Sequence, residues 1–83
     1  MYRLLIENRA TKEVESLHGE ILDRLVKAIG SLKQNPRPHG VKKLFTEDGW
    51  RIRVGDYRVL YIIDDKQKLV TIYRVKHRRE AYR

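Results

Sequence analysis

The dipeptide Gly55-Asp56 stands between two runs rich in β-branched and aromatic residues, Trp50-Arg51-Ile52-Arg53-Val54 and Tyr57-Arg58-Val59-Leu60-Tyr61-Ile62-Ile63. A glycine heading a two-residue loop supplies the positive φ that II′ and I′ turns need, and those turns match the twist of the flanking strands, so the spacing predicts a β-hairpin. Such a loop fixes register by counting outward: Val54 faces Tyr57, Arg53 faces Arg58, Ile52 faces Val59 and Arg51 faces Leu60. Because side chains alternate, one face receives Trp50, Ile52, Val54, Tyr57, Val59 and Tyr61, and the other receives Arg51, Arg53 and Arg58.

The rest of the chain must cover the apolar face. Residues 2–7, apolar at Leu4, Leu5 and Ile6, read as a short strand, with Asn8 as the N-cap of a helix carrying Ala10, Val14 and Leu17. Gly19 falls where a left-handed C-cap ends that helix. From 20 to about 34 a broad stripe of Ile21, Leu22, Leu25, Val26, Ala28, Ile29 and Leu32 predicts a second helix, stopped by Asn35-Pro36-Arg37-Pro38. Residues 39–48 read as irregular, and 69–75 as a further strand entered through the turn at Asp64-Asp65-Lys66-Gln67-Lys68. The expectation is one α+β domain over residues 1–83, ordered β-α-α-β-β-β, with two antiparallel helices packed on one face of an antiparallel sheet. The position of the N-terminal strand in that sheet does not follow from the sequence.

Charge narrows the partners. Nineteen Lys and Arg against eleven Asp and Glu give a formal net charge of +8, which attracts polyanions. With no cysteine, thiolate chemistry and disulfides are excluded. His18, His39 and His77 lack ligand-like spacing, so the expectation is no metal and no cofactor, with His18 and His39 in structural or solvent roles. No apolar run approaches ~20 residues and Glu7 comes too early for a signal peptide, so the expected setting is the cytoplasm, with no membrane partner.

Packing the apolar face under the helices leaves three guanidiniums on the open face. Like charges opposite one another repel, so folding alone does not favour Arg53 facing Arg58, whereas a shared anion relieves the repulsion. Arg presents a planar fork suited to phosphate. Taken singly, each arginine is better read as a solvated residue paired with Asp48 or Asp56; the grouping of three favours anion binding. Arg74, Lys76, His77, Arg78, Arg79 and Arg83 add charge beside the last strand, and His77 is the one histidine in such surroundings. Trp50 and Tyr61 fall on the helix-facing side and read as core rather than as platforms for nucleobases.

The run 50–61, followed by Val75-Lys76-His77-Arg78-Arg79-Glu80-Ala81-Tyr82, resembles the RelE/ParE toxin superfamily, and Asn35-Pro36-Arg37-Pro38, Val41-Lys42-Lys43-Leu44 and Asn8-Arg9-Ala10 extend the likeness over nearly the whole chain. The resemblance implies a toxin neutralised by a cognate antitoxin protein. In the RelE branch it implies cleavage of mRNA on the ribosome without a metal, the 2′-OH attacking the adjacent phosphate. It places Arg51, Arg53 and Arg58 as basic residues of the second and third strands, Arg78 as the late basic residue and Tyr82 as the tyrosine that orients RNA, with His77 beside Arg78. Lys76, Arg79 and Arg83 are read as further RNA contacts.

One departure matters. The RelE branch carries lysines on the second strand where this chain has Arg51 and Arg53, and arginine stays protonated above pH ~12, so it is a poor general base. His77 is therefore the expected base, and Arg51, Arg53, Arg58 and Arg78 the electrostatic stabilisers. Two other functions stay open: a ParE-like inhibitor of DNA gyrase, and a non-catalytic basic module that binds RNA or an acidic partner.

Overall fold

The structure is a computed structural model that describes residues 1–45 and 48–81, the last two by their backbone. Five strands form one sheet: β1 (Arg3–Ile6), β2 (Lys42–Lys43), β3 (Trp50–Val54), β4 (Tyr57–Asp64) and β5 (Leu69–His77), in the order β1-β5-β4-β3-β2. Helices α1 (Asn8–Glu15) and α2 (Glu20–Ser31) cover one face, and a short α3 (Arg78–Ala81) closes the described chain. The β-α-α-β-β-β order stands, with the two-residue β2 added before the hairpin and α3 after the last strand. The sheet, however, is mixed rather than wholly antiparallel, because β1 runs parallel to β5, from Arg3 opposite Leu69 to Ile6 opposite Ile72.

Local departures have local causes. β2 lies inside the segment expected to be irregular, and its two lysines carry no strand signal; pairing with Trp50 and Arg51 makes it a strand. Glu7, not Asn8, holds the N-cap position of α1, without a side-chain cap bond. Gly19 does have positive φ, at 76°, but it stands at the start of α2 rather than closing α1. Helix α2 stops at Ser31, and Leu32 to Gln34 continue as turns before Pro36.

The core lies between α2 and the middle of the sheet. Leu25, Ile29 and Leu32 pack with Ile52, Val59, Tyr61, Val70 and Ile72, all buried. Truncating a fully buried residue such as Leu25 to alanine costs about 2–5 kcal/mol in such a setting. Strand β5 runs past the end of β1, and α1 supplies the missing edge partner. The Glu13 carboxylate accepts the Val75 N–H at 2.8 Å and holds the Arg74 guanidinium at 2.8 Å, so this stretch of β5 is tied down without a strand beside it.

Candidate nucleic-acid interface

The turn expected at 55 and 56 is present. Gly55 has φ 59° while Asp56 does not enter the positive-φ region, which is the II′ pattern. The register is the one counted from the sequence: Val54 opposite Tyr57, Arg53 opposite Arg58, Ile52 opposite Val59 and Arg51 opposite Leu60. Burial follows the alternation, with Ile52, Val54 and Val59 buried, Arg53 exposed, and Arg51 and Arg58 half-buried. All three arginines thus share the face turned away from the helices.

They fall into two rows. Arg53, Arg58 and Lys76 form the row nearest the turn, since Lys76 pairs with Arg58 on the other side of β4. Arg51 belongs to the next row, between Lys42 and Leu60, which ends at Arg74 on β5. Arg74 is committed to Glu13 there.

Extension of β5 to His77, two residues beyond the expected end, decides where the late basic residues lie. His77 pairs with Tyr57 and shares its helix-facing side, the rings meeting edge to face at 5.1 Å and 84°. Strand alternation therefore separates it from Arg53 and Arg58. Its Nδ1 accepts the Arg79 N–H at 3.2 Å, so the neutral ring carries its hydrogen on Nε2. Arg78 starts α3, donates its N–H to the Asp56 carbonyl at 2.7 Å, and sets its guanidinium 3.8 Å from the Asp56 carboxylate. The outcome is a cleft of about 90 Å³ lined by Arg53, Gly55, Asp56, Tyr57, Arg58 and Arg78. A wider opening of about 730 Å³ adjoins it, lined by Asp56, His77, Arg78 and Arg79. Tyr82 and Arg83 lie outside the described residues.

Two contributors escaped the sequence reading. Asp56 reads as a turn residue, and only the extension of β5 reveals that Arg78 comes back to it. Arg24 lies outside the apolar stripe of α2, yet α2 abuts the turn: a Cβ added at Gly55 would lie 3.2 Å from Ile21 Cδ1 and 3.5 Å from Arg24 Nη1. No periodicity marks that approach.

The far end of the sheet is charge-matched instead. Asp65 accepts both ends of the Arg37 fork, at 3.2 and 2.9 Å, and the Tyr2 hydroxyl at 2.6 Å. These bonds, Arg37 first, hold its carboxyl down at about 2. Arg37 and Lys43 each sit 5.0 Å from the Trp50 ring centre, in keeping with a structural rather than a base-stacking role. Tyr61 is fully buried with its hydroxyl donating to the Pro36 carbonyl at 2.8 Å, and burial pushes that hydroxyl up to about 12.

The chain matches, over residues 4–82, the family model of the ParE toxin of type II toxin–antitoxin systems, parDE. Toxin RelG of Mycobacterium tuberculosis is 36% identical over 85 residues, which cover 99% of this chain and 97% of that protein. Among solved structures, the archaeal RelE–RelB complex from Pyrococcus horikoshii aligns with a TM-score of 0.82 at 34% identity, covering 93% of this chain and 94% of the other. The intact Escherichia coli RelBE toxin–antitoxin complex aligns at 0.79 and 25% identity, covering 93% and 96%.

Proposed function

The chain belongs to the RelE/ParE family of type II toxin–antitoxin toxins, in its RelE-like branch, and on that premise we propose that it cleaves mRNA held on the ribosome, without a metal. The observation that carries this reading is the convergence of Arg53, Arg58 and Arg78 on one cleft at the tip of the β3–β4 hairpin. Guanidiniums stay charged across the working pH range, and their planar forks match the oxygens of a phosphate.

The chemistry follows from what those groups can and cannot do. A ribose 2′-oxygen forms a bond to the adjacent phosphorus, negative charge builds on the phosphorane oxygens, and preorganised cations facing that position stabilise it. The P–O5′ bond then breaks, leaving a 2′,3′-cyclic phosphate and a 5′-OH. The 2′-OH proton needs an acceptor, and arginine is none. Sequence reasoning gives this step to His77, whose ring lies on the other side of the sheet with Nδ1 already accepting from Arg79. We assign the step instead to the Asp56 carboxylate, which lines the same cleft; the proton returns through solvent to the departing O5′. Lys76 and Arg51 extend the positive field over the open face, Arg79 borders the wider opening, and Tyr82 and Arg83 are assigned to orienting the RNA and holding its phosphate.

Relatives crystallised with RelB support a cognate antitoxin as the partner, and a partner seated over this cleft would silence it. A ParE-like action on gyrase is the competing reading; the arginine cleft favours RNA. Induced expression followed by mapping of mRNA 5′ ends tests the choice. New ends within translated messages support cleavage, whereas gyrase trapped on DNA with intact messages overturns it.

A further inference from the structure

We propose that the helix-facing side of the hairpin tip, where Arg24 and Arg79 stand with the Nε2–H of His77, is a second surface for single-stranded RNA. It grips the strand where it rounds the tip from the arginine cleft. This rests on the RNA-cleaving reading and extends it to Arg24 and His77, which that reading leaves unused.

Three observations converge. Helix α2 brings the guanidinium of Arg24 against the turn, within 3.5 Å of where a Gly55 Cβ would stand. The helix-facing row nearest the turn runs Val54, Tyr57, His77 across β3, β4 and β5, so His77 lies about two strand spacings, or ~10 Å, from Val54, the neighbour of the Gly55 turn that Arg24 abuts. Asp56 and Arg78 line both the narrow cleft and the wider opening, so the two are continuous around the tip.

Arg37 and Arg74 are each locked to a carboxylate, at 2.9 and 2.8 Å. Among the described residues, neither Arg24 nor Arg79 enters an ion pair, and both are exposed. Asp56, the carboxylate of the turn itself, already faces Arg78. Two exposed arginines and an N–H donor, reached directly from a phosphate-binding cleft, suit the next phosphates of the same strand.

The test measures affinity of the full chain for a single-stranded RNA oligonucleotide across a salt series, for wild type, Arg24→Gln, Arg24→Lys and Arg58→Gln. Gln is as good a helix former as Arg, so the exposed change leaves α2 intact. The slope of log affinity against log salt should fall by about 0.7 in Arg24→Gln, the loss of one single-strand phosphate contact, and return in Arg24→Lys. With a dinucleotide that fills only the cleft, Arg24→Gln should match wild type while Arg58→Gln stays weak. An unchanged slope in Arg24→Gln beside a reduced one in Arg58→Gln overturns this surface and leaves the cleft standing. A wild type that binds RNA without salt dependence, or binds only an acidic peptide, overturns both.

Discussion

Arg53 and Arg58 stand directly opposite one another across the β3–β4 hairpin, two permanent cations on the open face in the row nearest the turn. Like charges directly opposite one another across a strand pair are destabilising, and a phosphate bound between them would relieve the repulsion. Replacing Arg53, the exposed member, with Thr should leave stability unchanged or raise it by a few tenths of a kcal/mol in denaturant melts. The same change should weaken RNA binding severalfold. Loss of stability with intact RNA affinity would assign Arg53 to the fold instead.

Asp56 and His77 compete for the proton of the attacking hydroxyl, and their substitutions separate the two. Asp56→Asn should lower single-turnover cleavage by about 10²-fold, the usual worth of a general base, with little change in RNA affinity. His77→Ala should leave the cleavage step within a fewfold of wild type and weaken the binding of longer RNA. The reverse pattern would restore the base to His77. The Asp56 pair with Arg78 is exposed on both sides, so Asp56→Asn should cost no more than about 1 kcal/mol of stability.

The segment that ends α2 is held from two directions, and each hold has its own pH signature. Asp65 has its carboxyl at about 2 in the folded chain, well below the ordinary value, through Arg37 and Tyr2. Its contribution is complete above pH ~4 and is lost as pH falls from there toward 2. Asp65→Asn should therefore flatten that part of an acid-unfolding curve. Tyr61 is the mirror case, its hydroxyl raised to about 12 by burial, so its contribution fades as pH climbs from ~10 toward 12. Tyr61→Phe should cost about 1–3 kcal/mol at neutral pH by leaving the buried Pro36 carbonyl without its donor, read from urea midpoints.

Legibility tracked the range of the interaction. The hairpin and its faces were readable because a two-residue turn fixes register locally, and the structure keeps all four cross-strand pairs counted from Gly55-Asp56. The helical stripe from Ile21 to Leu32 was readable for a similar reason, since helical period is written into spacing. What the sequence withheld is non-local. The parallel pairing of β1 with β5 joins positions more than sixty residues apart, and Lys42–Lys43 becomes a strand only because Trp50 and Arg51 offer an edge. The side that His77 faces is withheld by the same kind of gap, since a strand expected to end near 75 leaves it unspecified. Pairing through Tyr57 puts it on the helix-facing side and leaves Arg78 to turn back toward Asp56.

The central claim is that the arginine cleft drives RNA self-cleavage without a metal, and end-group analysis of mRNA cut on programmed ribosomes in EDTA tests it most directly. Wild type should give 2′,3′-cyclic phosphate and 5′-OH ends at undiminished rate, and Arg58→Ala should lose about 10²–10³-fold, the usual worth of one stabilising group at a developing oxyanion. Ends bearing a 5′-phosphate, a rate that collapses in EDTA, or full cleavage by Arg58→Ala would contradict the account.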